Sequence, residues 1–465
     1  MMVVLDDTIA AVATPLFPAG IGVIRISGPE AIKIANTVFT GKKQVLECET
    51  YTALHGYIKN PETVETLDEA VCLVMKGPAS YTGEDVVELS LHGSPLVLRK
   101  TLEMIIRLGA RQAEAGEFTY RAYLNGKLSL TEAEAIHKLV KARSESGLRN
   151  AFLQMQGSLR RNILELRTKI QEVLSNFEAE IEFPAEELNF LSKEDGLKHI
   201  KHITTACSKM IETYQLGKQL EEGVKIVICG PPNSGKSTLL NRLLKDDRAI
   251  VHEIPGTTRD KVEGTLSING AVIKIIDTAG IRQTENAVEK IGIAKTIEAI
   301  KKSNVIIWLE SYDTKSSFKE NELKSQVISK SVKKHSITVM NKIDLLDKNE
   351  RKTLQKKLKS EIDIFISAKK GWGVKRIYMA IEEVVGALQS HSIEGTIITS
   401  LRQEQLLKEC RKALNRAENG LKIGVSLEYI CQDVNEGIEA LNQLIGIKPR
   451  KDIYDLVFKH FCIGK

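Results

Sequence analysis

The segment Gly230-Pro-Pro-Asn-Ser-Gly235-Lys236-Ser237 constrains this chain more than any other. It fits GxxxxGK[ST], directly follows the apolar run VKIVICG and opens onto STLLNRLL. Strand, glycine loop and helix in that order make a phosphate cradle. The glycines let backbone N–H groups wrap phosphates, and the helix N-terminus faces them with partial positive charge. In such a loop Lys236 reaches the β- and γ-phosphates and Ser237 holds Mg²⁺, with Asn233, Ser234, Gly235 and Thr238 around them. The runs AVIKIID, NVIIWL, SITVM and IDIFIS alternate with helical stretches, so the loop is expected in a buried, largely parallel sheet.

Three further motifs follow in order, each after a strand. Asp277-Thr278-Ala279-Gly280 ends AVIKIID, where a carboxylate can hold the Mg²⁺ shell through water and the Gly280 N–H can meet a γ-phosphate. Asn341-Lys342-Ile343-Asp344 follows SITVM; an aspartate facing a base accepts two hydrogen bonds from guanine that adenine does not offer. Ser367-Ala368-Lys369 follows IDIFIS and can cover guanine O6. Together these indicate a guanine-nucleotide domain. Thr257 and Thr258 lie in PGTTRD (255–260), between the phosphate loop and DTAG, where a threonine hydroxyl completes Mg²⁺ coordination and the loop orders with GTP. Ile281 stands after DTAG, where Ras-type GTPases place a water-orienting glutamine. Isoleucine cannot orient water, so another group is needed, and Glu289 is the leading carboxylate. Asn233 offers an oxygen to a monovalent cation beside the phosphates, which meets the need for a further positive charge.

The 465 residues suggest about three domains. From 1 to 118 the texture is mixed: GIGVIRI (20–26), AVCLVM (70–75) and VVELSL (86–91) read as strands. PEAIKIANTVF (29–39) reads as a helix with Pro29 in its first turn, and 94–109 as a helix closed by Gly109. Residues 119–222 read as helical, with a capping box at Ser129 and Glu132 and an apolar face through Ile163, Leu166, Ile170, Val173, Phe177 and Ile181. Residues 223–384 form the α/β nucleotide domain, inserted before a second helical part, 385–465. The net charge of +6 is mild for this length and does not argue for nucleic acid by itself. Seven cysteines without a CxxC pair fit a reducing cytoplasm rather than a disulfide framework. No apolar run is long enough for a membrane span, and MMVVLDDT lacks the basic start and apolar core of a signal peptide. Cys462 stands four residues from Lys465, but Gly464 and Lys465 do not satisfy a prenylation box.

The chain resembles the MnmE (TrmE) family of tRNA modification GTPases. The resemblance rests on GPPNSGKS, PGTTRD, DTAG and NKID, and more specifically on DTIAAVATP, GVIRISG, YTGEDVVEL, GEFTYRAYLNGKLSLTEAEAI and the terminal CIGK. It implies a multidomain α/β plus all-α protein: an N-terminal tetrahydrofolate-binding domain that forms a homodimer, and a helical domain carrying an inserted Ras-like P-loop GTPase domain. It implies modification of carbon 5 of wobble uridine 34 in certain tRNAs, together with the flavoprotein MnmG (GidA) in a heterotetramer or larger complex. The one-carbon unit comes from a 5-formyl- or methylene-tetrahydrofolate. GTP hydrolysis is coupled to G-domain dimerisation and needs K⁺.

Carried over motif by motif, the resemblance implies that Asn233 and Thr257 bind K⁺ with the backbone carbonyls of His252 and Ile254, and that Ser237 and Thr258 bind Mg²⁺. Glu253, Pro255 and Gly256 belong to the same GTP-binding loop, and Glu289 matches the catalytic glutamate. Arg25, Glu88, Lys127 and Lys465 match folate-contact positions, and the tail folds back toward that pocket. A folate's glutamate tail wants cations and its pterin edge wants a carboxylate, which agrees with these residue types. Cys462 is either a thiol that attacks the uridine or a one-carbon adduct, or a small packing group. The stretches 310–335 and 345–360 carry no family pattern, and the latter reads as a loop. Seven basic residues in 141–170 (Lys141, Arg143, Arg149, Arg160, Arg161, Arg167, Lys169) offer either a tRNA-phosphate surface or a solvated helix face. The competing readings are a ribosome-assembly GTPase switch of Era or Der type, and a G protein whose folate-like domain has become a scaffold. A single G domain and the lack of a C-terminal GXXG loop speak against the former.

Overall fold

A computed structural model describes residues 6–142, 144–183, 192–244, 264–268, 271–277, 300, 303–313, 335–390, 397–447, 453 and 457–464. The chain divides into two compact units, one of residues 1–140, 152–207 and 405–465, the other of 141–151 and 208–404.

In the first unit, alternating and β-branched sequences build a seven-stranded sheet. Its strands are β1 (Ile9–Val12), β2 (Ala19–Ser27), β3 (Phe39–Gly41), β4 (Thr52–Lys59), β5 (Thr66–Met75), β6 (Val86–Gly93) and β7 (Arg111–Gln112). The order is β3-β4-β5-β6-β2-β1-β7, antiparallel throughout except for β1 with β7. Helices Ala31–Val38 and Pro95–Arg107 cover it with Ala31, Ile34, Ala35, Val38, Leu98 and Ile105. Gly22 permits the approach of the second helix, because a Cβ there would lie 2.5 Å from Leu98 Cδ1. The remaining elements of the unit are helical. The apolar stripe expected from its spacing is buried at Ile163, Leu166, Ile170, Val173 and Phe177 on helix Ser158–Glu182, which packs along Leu427–Ile445. The Ser129–Glu132 capping box is present: Ser129 N–H donates to Glu132 Oε2 (2.6 Å) and Glu132 N–H to Ser129 Oγ (3.3 Å).

The second unit holds a six-stranded sheet of β8 (Val224–Cys229), β9 (Gly264–Ile268), β10 (Ala271–Asp277), β11 (Val305–Ser311), β12 (His335–Asn341) and β13 (Ile364–Phe365). Its order is β13-β12-β11-β8-β10-β9, parallel but for β9 against β10. Ile226, Ile228, Ile275, Ile307 and Val339 are buried with Leu239 and Leu243 of helix Lys236–Leu244 and Ile377 and Ile381 of Val374–Ser390. In a parallel sheet covered by helices both faces are apolar, which is why these strands read as continuous runs.

Three local expectations are corrected. Pro29 lies outside the helix: Glu30 is the N-cap and Phe39 enters β3. IDIFIS contributes only Ile364 and Phe365 to the ladder. Strands β1, β3 and β7, too short for a period to register, and β4, continuous through Gly56, carry no expectation from the sequence pattern. Residues 345–360 are not a loop; they contain helix Lys348–Lys357, started by a capping box between Asp347 and Glu350.

Candidate functional site

The phosphate loop links β8 to helix Lys236–Leu244 through three residues with positive φ: Gly230 (+146°), Asn233 (+59°) and Gly235 (+93°). Such φ values between a strand and a helix N-terminus are the backbone pattern of loops whose N–H groups bind phosphate. Gly230 is obligatory, since a Cβ would lie 2.1 Å from Leu309 O. Lys236 Nζ donates to the carbonyls of Pro231 (2.6 Å) and Gly230 (3.2 Å), so the ammonium is held inside the loop. Ser234 is 0% exposed, and its hydroxyl makes no hydrogen bond among the described residues. A buried orphan hydroxyl beside a cationic loop fits a site whose polar partner is an anion. Ser237 and Thr238 stand at the start of the following helix.

Asn341 ends β12 and is 3% exposed. Its Nδ2 donates to Ser234 O (2.8 Å), and its Oδ1 accepts from Ala368 N (2.9 Å). One amide thus ties the phosphate loop to the Ser367-Ala368-Lys369 loop. Residue spacing had suggested Asn341 only as a guanine-site member; the bracing role follows from contacts 107 and 27 residues away. A Cβ on Gly235 would meet Asn341 Nδ2 at 2.3 Å, so glycine there serves the brace as well as the loop. Lys342 has a left-handed φ of +63° and pairs with Asp313 (2.8 Å). Asp344 follows in a short 3₁₀ turn, Ile343–Leu345. The loop 367–373 is closed by a Ser367–Trp372 bridge, and Lys370 N–H donates to Ser367 Oγ (3.1 Å). The structure therefore brings together the phosphate loop, Asn341 and Ala368. The backbone of Asp277 ends β10 as expected.

Several expected residues lie outside the described ones: His252, Glu253, Ile254, Pro255, Gly256, Thr257, Thr258, Thr278, Ala279, Gly280, Ile281, Glu289, Arg143 and Lys465. Among the described residues no group of three or more His, Cys, Asp or Glu is placed to hold a metal ion.

A second constellation lies in the first unit. Arg25 on β2 stands directly opposite Glu88 on β6 in the antiparallel register. Its Nε donates to Glu88 Oε1 (2.7 Å) and its Nη1 to Gly464 O (3.0 Å). Arg25 and Glu88 keep 19% and 23% of their side chains exposed, so both charges are reachable from solvent. The guanidinium carbon lies 5.5 Å from the ring centroids of both Tyr81 and Phe118. The tail is thereby seated on the sheet: Gly116 N–H meets Cys462 O (3.4 Å), and Phe458 and Phe461 pack with Tyr123 and Leu130. Gly464 has φ +91°, and a Cβ there would lie 2.6 Å from Val12 O. Cys462 is exposed. Lys127 Nζ donates to Pro78 O (2.9 Å), on the loop that also carries Tyr81.

The same unit holds a charged cluster around Arg121. Arg121, fully buried, donates from Nη2 to Glu117 Oε1 (3.1 Å) and Asp7 Oδ1 (2.5 Å), and from Nη1 to Glu84 Oε1 (3.2 Å). Glu84 in turn accepts from Ser27 Oγ (2.6 Å), and Arg111 bridges Asp7 and Glu117. Burial alone would raise the Asp7 carboxyl, but hydrogen bonds and charge from Arg111 and Arg121 outweigh it and hold the group below its ordinary 3.8. Glu117 and Arg121 stand at helical i,i+4 spacing, but nothing local marks the other two partners, which lie 37 and 114 residues away.

Of the basic residues in 141–170, four have partners within their own unit. Arg167 Nε donates to Asn442 Oδ1 (2.6 Å), Arg161 Nη1 to Gln156 O (2.8 Å) and Lys169 pairs with Glu165 (2.9 Å), while Arg160 stands 3.9 Å from Glu132.

Comparison with known proteins adds the lineage. A family model described as "GTP-binding protein TrmE N-terminus" matches residues 8–127, and one described as "MnmE helical domain" matches 130–462. The tRNA modification GTPase MnmE of Carboxydothermus hydrogenoformans is 37% identical over 465 residues, covering 99% of this chain and 100% of its own. That of Aquifex aeolicus is 38% identical over 462 residues, covering 99% and 100%. The G domain of the T. maritima FeoB iron transporter is 27% identical over 35% of this chain and 98% of its own, with a TM-score of 0.25. The two family models and the full-length relatives cover nearly the whole chain, which sets the ribosome-assembly reading aside. This chain belongs to the MnmE family of tRNA modification GTPases.

Proposed function

We propose that the chain hydrolyses GTP in the modification of carbon 5 of wobble uridine 34 of certain tRNAs, adding a (carboxymethyl)aminomethyl group with the flavoprotein MnmG in the cytoplasm. The observation that carries the reading is Arg25, which joins Glu88 of the N-terminal sheet to Gly464 of the CIGK tail. It assembles, in one place, motifs that separate this family from other GTPases.

The N-terminal residues suit a reduced folate. Glu88 can accept from the amino–amide edge of the pterin, and Arg25, Lys127 and Lys465 can meet the glutamate tail. The folate supplies a one-carbon unit when bound. Arg121 holds Glu84, which is tied through Ser27 to the strand that carries Arg25. Cys462, exposed beside this tail, is offered as a nucleophile toward the uridine or the adduct.

In the nucleotide domain, the phosphate loop and Lys236 bind the phosphates, and Asn341, Lys342, Asp344 and Ser367–Ala368–Lys369 select guanine. Ser237 and Thr258 would hold Mg²⁺. Asn233 and Thr257, with the carbonyls of His252 and Ile254, would hold K⁺ in place of an arginine finger. Glu289 would orient the attacking water that Ile281 cannot. The domains run 1–118, 119–222, 223–384 and 385–465. The N-terminal domain forms the homodimer, and the G domains meet across it during hydrolysis.

The test is GTP turnover in K⁺ against Na⁺, with and without Glu289→Ala. Turnover is expected to be at least tenfold faster in K⁺ and to fall by roughly 10²-fold or more in the variant. Equal rates in the two salts would defeat the cation assignment, and a retained rate in Glu289→Ala would remove the catalytic glutamate.

A further inference from the structure

The strongest concentration of charge on this chain is not in the helical stretch that the sequence singled out. Residues 348–376 hold ten Lys and Arg against three Asp and Glu, a local net charge of +7 beside +6 for the whole chain. Helix Lys348–Lys357 places Lys348, Lys352 and Lys356 at four-residue spacing, on one face. Like charges so spaced repel, and no acid is interleaved: Glu350 is engaged at the helix start, where it accepts from Asp347 N–H (2.9 Å). Among the described residues none of these lysines pairs with a carboxylate. Leu354 and Leu358 anchor the helix to Met340, Ile343, Ile362 and Phe365, which keeps the lysine face outward.

This helix meets an exposed aromatic. Arg351 lies over the ring of Trp372, its guanidinium carbon 4.4 Å from the centroid, and 44% of Trp372 remains exposed. Arg242 approaches the same loop, donating from Nη2 to Lys369 O (3.3 Å). Lys369 and Lys370 are exposed beside it. An exposed indole backed by a guanidinium and ringed by ammonium groups is the chemistry that stacks an unpaired base while neutralising its phosphates.

We propose that helix Lys348–Lys357 and the loop 367–373 form an RNA-binding surface, with the lysines on phosphates and Trp372 stacking one unpaired base. It rests on the reading that this chain acts on a tRNA. Because Trp372 closes the loop that begins with Ser367, RNA on this surface contacts the same loop that faces guanine. The surface therefore links RNA binding to nucleotide state.

The test uses the full chain and an unmodified tRNA transcript, followed by fluorescence anisotropy at several salt concentrations. In the double variant Lys352→Glu/Lys356→Glu, affinity falls about tenfold or more. The slope of log K against log salt shrinks by about 1.5, the share of two phosphate contacts. GDP affinity stays unchanged. Trp372→Ala weakens tRNA binding with little change of slope, and Trp372→Phe restores most of it. Undiminished affinity and slope in the lysine variant, while the unaltered chain binds tRNA, overturn this surface alone. So does a loss confined to Arg160→Glu/Arg161→Glu, or a lysine-dependent affinity for phosphatidylserine vesicles without one for tRNA. If the unaltered chain binds no transcript, the tRNA reading falls and the surface with it.

Discussion

Asn341 donates to Ser234 O and accepts from Ala368 N, so one buried amide sets the distance between the Gly230–Ser237 loop and the Ser367–Lys369 loop. Replacing it by alanine leaves a buried carbonyl and a buried N–H without this partner, each costing roughly 1–3 kcal/mol. Asn341→Ala is therefore expected to lower the melting temperature of the nucleotide domain and to weaken GDP binding at least tenfold by titration calorimetry. An unchanged GDP affinity would confine the residue to structure. In the other unit, Asp7 is held below its ordinary value of 3.8 by Arg111 and Arg121 despite burial. A depressed carboxyl stabilises the fold above its unfolded pKa and loses that contribution as pH falls through the folded one. Asp7→Asn should lower stability by a constant amount above about pH 5, and the gap to the unaltered chain should close below about pH 4. A gap that widened in acid, read from urea unfolding at each pH, would contradict the sign.

Elements were legible in proportion to how local their cause is. The parallel strands read directly, because burial on both faces leaves long apolar runs such as VKIVICG and NVIIWL. The capping box at Ser129 read directly too, since both partners lie within one turn. Ser129→Ala should cost about 1 kcal/mol and lower the melting temperature of the helical unit by a few degrees, measured by circular dichroism. No change would mean that tertiary packing alone starts that helix. Helix Lys348–Lys357 was missed because it buries no residue and so shows no apolar period. The Asp347–Glu350 pair was the signal that could have found it. The Arg351–Trp372 stack had no signal at all, being made between two elements whose meeting depends on the whole sheet.

The nucleotide domain is the part other GTPases share, and its order of motifs is readable residue by residue. The N-terminal site is not. Arg25 and Gly464 are separated by 439 residues, and each looks like an ordinary surface charge or turn until the tail is seated on the sheet. Only the resemblance in GVIRISG, EDVVEL and CIGK pointed there. In the Asp7–Glu84–Glu117–Arg121 cluster only the i,i+4 pair Glu117–Arg121 is local; the burial of these charges is tolerated because each carboxylate meets a guanidinium.

We propose above all that GTP hydrolysis by this chain drives wobble-uridine modification. The direct measurement is mass spectrometry of wobble nucleosides from cells deleted for the gene and supplied with either the unaltered chain or Lys236→Ala. Deletion is expected to abolish the carbon-5 substituent, the unaltered chain to restore it and Lys236→Ala to leave it missing. Full modification in the deleted cells, or full restoration by Lys236→Ala, would contradict it.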